Sequence, residues 1–120
     1  MAKEILIVED DRDIREPMKD LLEGEGYRVQ CATSGIEALE IAASKDGGLG
    51  LVLCDLMMPN MSGSQFISEL RLRGLGAANS VVILSAAANA EKTAVDLGVG
   101  FLSKPINIAE LLVTVQRYCA

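Results

Sequence analysis

The chain contains no histidine. That absence removes Ser/His and Cys/His nucleophilic sites and any imidazole metal ligand from the possible chemistry. Aromatic residues are scarce, 3% of 120, so a core must be filled by Leu, Ile, Val, Ala and Met. The three cysteines, Cys31, Cys54 and Cys119, are odd in number and match no zinc spacing. They read as reduced thiols of a cytoplasmic protein, with Cys31 and Cys54 as small core hydrophobes. Bases are outnumbered, 11 against 17 acids, for a net charge of −6. That argues against direct nucleic-acid binding, which needs a basic footprint. No apolar run approaches a membrane span, and the N-terminus MAKEILIVEDD lacks a signal peptide's apolar region and cleavage site. Repeats, low-complexity tracts and linkers are missing as well.

What is present is regular. The length suits one domain, 1–120, with no output domain, and 50% hydrophobic content is enough for one sizeable core. Apolar runs alternate with helical patterns: EILIV (4–8), YRVQC (27–31), LGLVLC (49–54), VVIL (81–84) and GFLS (100–103). Helices fit between and after them at about 12–24, 34–45, 63–73, 88–97 and 107–118. Ser34 with Glu37 and Asn107 with Glu110 read as capping boxes, Asp13 as an N-cap, and Gly98 as a helix stop. Pro17 costs the first helix one backbone hydrogen bond.

Alternating strands and helices predict an α/β fold, a parallel sheet with helices on both faces. Runs one, three and four are almost continuously apolar, as strands buried on both faces are. In run two Tyr27, Val29 and Cys31 face one way and Arg28 and Gln30 the other. Run five is short. Two and five are therefore the edges, and right-handed winding gives a doubly wound five-stranded sheet of order 2-1-3-4-5. Ligands of such sheets bind beyond the carboxyl ends of the strands where the winding reverses, here between strands one and three.

At those ends stand Glu9-Asp10-Asp11 after strand one, Asp55 after strand three, Ser85 after strand four and Lys104-Pro105 after strand five. Crowded carboxylates repel one another and need a cation among them. Lys104 supplies one charge, and a hard divalent ion such as Mg²⁺ would supply two more, with carboxylates, waters and a phosphate as its usual ligands. Neither GxxxxGK[ST] nor GxGxxG is present to cradle a nucleotide. The set therefore points to a phosphoryl group brought from elsewhere and received by a carboxylate.

Taken together, ILIVEDD, DLMMPNMSG, ILSA and SKP, each at a strand end and in this order, resemble the response-regulator receiver domains of two-component signalling, the CheY-like family. The resemblance covers essentially the whole chain. It implies a signalling domain, not an enzyme in the usual sense, which catalyses only its own phosphorylation and dephosphorylation. By position, Asp55 resembles the phospho-acceptor. Asp10, Asp55 and the main-chain carbonyl of Met57 resemble ligands of Mg²⁺ (Mn²⁺ could substitute), with Glu9 reaching the ion through water. Lys104 and Ser85 resemble the phosphoryl-binding pair. Ser85 and Phe101 resemble the switch residues of a surface made of helix four, strand five and helix five. The implied partners are a histidine kinase or histidine phosphotransferase domain and a downstream protein or output domain. Ile14, Pro17 and Pro105 would lie where the donor docks, and Ile14 reads equally well as core. The family's X-Pro bond after the lysine is commonly cis.

The pattern departs from the family's commonest form in three places: a third acid, Asp11, follows the pair; the hydroxyl is Ser rather than Thr; and Ala86–Ala88 replace larger side chains. Taken singly, Asp55 could be a turn or cap residue, Glu9 and Asp10 could cap helix one, and Lys104 could be a surface lysine. Met57, Met58 and Met61 read as packing for their loop, since thioethers do not suit Mg²⁺. A dehalogenase-type phosphatase would need an aspartate where Met57 stands. A flavodoxin would need a phosphate loop where EDDRD stands. The alternative that survives is a receiver-like interaction module that signals without phosphorylation.

Overall fold

The computed structural model describes residues 3–45 and 47–119. Its strands are β1 (Glu4–Val8), β2 (Arg28–Ala32), β3 (Leu49–Asp55), β4 (Val81–Ser85) and β5 (Gly100–Ser103). Its α-helices are α1 (Arg12–Gly24), α2 (Gly35–Ser44), α3 (Gly63–Leu72), α4 (Ala90–Leu97) and α5 (Ile108–Cys119). A 3-10 turn at Gly76–Asn79, which the apolar pattern did not mark, leads into β4. The strands form one parallel sheet in the order β2-β1-β3-β4-β5. This is the expected winding, with β2 and β5 at the edges.

Strand periodicity divides the core in two. Ile5 and Ile7 of β1, Leu51 and Leu53 of β3, and Val82 and Leu84 of β4 pack with Met18, Leu22, Leu111 and Val115 of α1 and α5. Leu6, Val8, Val52, Cys54 and Ile83 point the other way, against α2, α3 and α4, where Phe66, Ile67 and Leu70 close the layer. All seven residues of β3 are buried. Each large side chain there contributes about 1.5–3 kcal/mol relative to exposure. Tyr27, just before β2, and Val29 and Cys31 on it pack on the α1–α5 side, as their alternation implied.

The helix ends refine the sequence reading. Asp11, not Asp13, is the N-cap of α1: its carboxylate accepts from the Asp13 N–H at 2.9 Å. Ser34 caps α2, but Glu37 reaches back to the N–H of Thr33 rather than closing on Ser34. The complete capping box is on α3, where Ser62 and Gln65 exchange both bonds. Its S-x-x-Q spacing is itself a capping-box signal in the sequence. Asn107 accepts from the N–H of Glu110 at the start of α5. Gly98 ends α4 with φ 72°, a conformation that suits glycine. Strands β3 and β4 each run one residue further than their apolar runs, so Asp55 and Ser85 are the last strand residues themselves.

Candidate functional site

Asp55 ends β3 opposite Leu84 and is 7% exposed. A carboxylate so placed needs partners for both oxygens, and it has them. Oδ1 accepts from the N–H of Met57 at 3.2 Å, and Oδ2 lies 3.4 Å from Nζ of Lys104. Its surroundings are built tightly. A side chain on Gly63 would place Cβ 2.8 Å from the Asp55 carbonyl oxygen and 3.0 Å from Cα of Leu56, so only glycine lets the start of α3 pass this close. The turn between them carries Asn60 at φ 68°, a left-handed position that asparagine tolerates.

Glu9 follows β1 and is fully buried. Its Oε1 is 2.6 Å from Nζ of Lys104, and its Oε2 accepts from the N–H of Asp11 at 3.3 Å. The ammonium of Lys104 therefore bridges Glu9 and Asp55. Burial works against its charge, but the hydrogen bond from Lys104 to Glu9 and the charges of Asp55 and Glu9 outweigh that, holding its pKa above the ordinary value. Beside Asp55, burial pushes the Cys54 thiol far up, with the Asp55 and Glu9 charges adding, so it stays a neutral core residue.

Asp10 is exposed at the mouth of this cluster. Glu9, Asp10 and Asp55 each bring one carboxylate oxygen to within 4.8 Å of the others'. Three hard oxygen donors so close, with one ammonium among them, fit a small hard dication and no soft metal.

Ser85 ends β4, is 3% exposed, and its Oγ accepts from the N–H of Ala87 at 3.0 Å. The backbone of Lys104 is tied to the same strand end, its N–H donating to the Ser85 carbonyl at 2.9 Å. The Lys104–Pro105 bond is cis. Phe101 pairs with Ile83 on β5, half-buried on the α4 side of the sheet. Ile14, Pro17 and Pro105 line one apolar groove of about 370 Å³ between α1 and the chain entering α5, and Lys104 reaches its edge. Ile14 also packs on the core. The methionines separate. Met58 and Met61 pack on the core, but Met57 is 70% exposed. Asp11 caps α1, while Glu9 and Asp10 group with Asp55.

Arg15 had no part in the sequence reading. From α1 its Nη1 donates to the carbonyl oxygens of Glu9 and Asp10 at 3.0 and 3.3 Å. An arginine one turn into an acid-capped helix was visible, but nothing local says that it turns back to the strand end.

Comparison with known proteins places the chain in a family and a fold. The family profile described as response regulator receiver domain matches residues 5–116. The response regulator MprA of Mycobacterium tuberculosis (strain H37Rv) is 37% identical over 115 residues, covering 93% of this chain and 48% of that protein. The chain thus spans about half the length of such curated relatives. The receiver domain of the hybrid histidine kinase CckA superposes with a TM-score of 0.79 at 35% identity, covering 96% of this chain and 97% of that one. The receiver domain of the Pseudomonas aeruginosa PAO1 sensor histidine kinase PA1611, solved with a magnesium ion coordinated in its active-site cleft, gives 0.86 at 28% identity, covering 98% of both chains.

Proposed function

The chain belongs to the response regulator receiver domain family of two-component signalling, and from that premise we propose that Asp55 accepts a phosphoryl group from a phosphohistidine on a histidine kinase or histidine phosphotransferase domain. The observation that carries this reading is the Lys104 ammonium held between Glu9 and Asp55 at the carboxyl ends of the strands, with Asp10 exposed beside them.

In this reading an oxygen of Asp55 attacks phosphorus in line. The P–N bond to the donor's imidazole breaks, its electron pair returns to the ring nitrogen, and the product is an acyl phosphate on Asp55. The chain has no histidine, so the donor imidazole belongs to another domain or protein. Lys104 already lies 3.4 Å from one acceptor oxygen and takes up charge on the transferring group. The Met57 N–H holds the other oxygen and so fixes the plane of the carboxylate. Asp10, Asp55, the Met57 carbonyl and, through water, Glu9 would hold Mg²⁺, or Mn²⁺ in its place. The ion supplies positive charge that lets an anionic phosphate approach an anionic acceptor.

Ser85 would then turn its hydroxyl proton toward the phosphoryl group, and Phe101 on the neighbouring strand would follow it inward. Together they bias the surface of α4, β5 and α5 that a downstream partner or output domain reads. The apolar groove at Ile14, Pro17 and Pro105 suits the donor's helices. The chemistry is confined to the domain's own phosphorylation and its reversal. The described residues include no helix long and apolar enough to cross a membrane.

The test is the intact mass of the protein after incubation with Mg²⁺ and acetyl phosphate, with Asp55→Asn as control. One added phosphoryl group that depends on Mg²⁺ and is absent in the control supports the reading. A folded wild-type protein that gains no mass and binds no Mg²⁺ defeats it.

A further inference from the structure

Arg15 sits close to the acid cluster yet directs its closest contacts to backbone. Its side chain is 13% exposed, and among the described residues the carboxylate it pairs with is Glu16, 3.9 Å away. Nη1 instead donates to the carbonyls of Glu9 and Asp10. Those carbonyls lie past Val8, the last residue of β1 that pairs with β2 and β3, so strand pairing does not extend to them. The base of Arg15 is itself well placed: its N–H donates to the Asp11 carbonyl at 2.9 Å, inside a helix whose first turn Asp11 caps. The Glu9–Asp10–Asp11 segment is thus tied by Lys104 at the Glu9 carboxylate, by the Asp11 cap, and by Arg15 at the main chain between them.

We infer that Arg15 is a positioning residue for the divalent-cation site. It holds the backbone that aims Glu9 and Asp10 toward Asp55, and so raises the affinity of this trio for Mg²⁺. The inference rests on the metal-binding reading above.

Charge and position predict opposite signs. As a cation near a dication, Arg15 repels it, and deleting Arg15 would tighten Mg²⁺ binding. As the clamp on the ligand backbone, its deletion loosens the site, and supports of this kind are worth on the order of tenfold in metal affinity.

The experiment is a calorimetric Mg²⁺ titration of the whole chain as wild type, Arg15→Ala, Arg15→Lys and Arg28→Ala. The last variant removes the same charge from an exposed position on β2. The expected result is a Kd about tenfold higher in Arg15→Ala and no weakening in Arg28→Ala. Arg15→Lys should recover part of the loss, since it keeps the charge and N–H donors but not the planar, fixed geometry of the guanidinium. In acetyl phosphate reactions the Mg²⁺ concentration for half-maximal rate should rise in step, while the rate at saturating Mg²⁺ moves less. An unchanged or tighter Kd in a folded Arg15→Ala overturns the inference. If Arg15→Ala does not fold, a wild-type Kd in Arg15→Lys does the same. A wild type that binds no Mg²⁺ overturns the metal reading and this inference with it. Binding by the wild type that Arg15→Ala leaves unaltered overturns this inference alone.

Discussion

Strand β1 has a glutamate bound to a distant lysine at each end. At its start Glu4 pairs with Lys45 at 3.1 Å, and its second oxygen accepts from Gln30 at 3.1 Å. One acid meets one base, both oxygens are used, and the charge is balanced. Past its other end Glu9 pairs with Lys104 at 2.6 Å, but the same ammonium also faces Asp55, and Asp10 completes the group. Three carboxylates there share one lysine. Both are Glu–Lys pairs; they differ in the number of acids around the lysine and in burial. A balanced pair on a half-exposed rim is structure. An acid-rich group at the carboxyl ends of the central strands keeps a demand for more positive charge, which a divalent cation would meet.

The comparison breaks most completely at Asp55. Asp55→Asn should lose all phosphoryl uptake in the mass assay while its thermal midpoint stays level or rises, because one of three crowded charges is gone. A clear fall in the midpoint would mean that the cluster is held by attraction rather than tolerated. Next is Lys104→Met. Acetyl phosphate reactions at saturating Mg²⁺ should slow roughly 10²-fold. Without metal the variant should lose about 3 kcal/mol in urea, since Glu9 stays buried without its cation. Added Mg²⁺ should restore part of that stability, and restoration by Na⁺ at equal ionic strength would count against a specific site.

Gly63→Ala tests the packing behind the acceptor. Its Cβ would lie 2.8 Å from the Asp55 carbonyl oxygen, and the overlap should cost about 1–3 kcal/mol and slow phosphorylation. Full activity would mean that α3 yields without moving Asp55. Smallest is Lys45→Ala at the balanced end. It should cost about 0.5 kcal/mol and leave phosphoryl uptake untouched.

Acid and alkali separate the two ends further. The hydrogen bond from Lys45 holds the Glu4 pKa below its ordinary 4.5 against burial, with Gln30 helping. Its contribution is full above that value and is lost as pH falls through the lower, folded one. Lys104 titrates above its ordinary 10.5 in the folded protein, so its contribution is full below 10.5 and is lost as pH rises through the folded value. Urea midpoints of Lys45→Ala should converge on wild type as pH falls through the folded Glu4 value, below its ordinary 4.5. Those of Lys104→Met should converge only in strong alkali.

Much of this could be read along the chain, because the deciding forces there are periodic or local. Apolar runs marked the strands, alternation in β2 and the shortness of β5 identified these two as edges, and right-handed winding then fixed the order. That order brought Glu9, Asp10, Asp55, Ser85 and Lys104 to one end before any coordinates. The cap of α1 was not legible, since Asp11 and Asp13 are equally good acids and the outcome depends on where β1 releases the chain. Met57 looked like packing because hydrophobicity does not reveal which of three neighbouring methionines the turn at Asn60 leaves outside.

The amino-acid order by itself determined the sheet, its two apolar layers and the set of polar groups at the strand ends, since each follows from the period of a short segment and the handedness of its connection. Tertiary structure decided which of those groups meet and how. Lys104 and Glu9 are 95 residues apart and 2.6 Å in space. Arg15 prefers two carbonyls to the acids around it. A side chain's partner is set by the direction in which a folded backbone aims it, and that direction exists only once the strands are side by side.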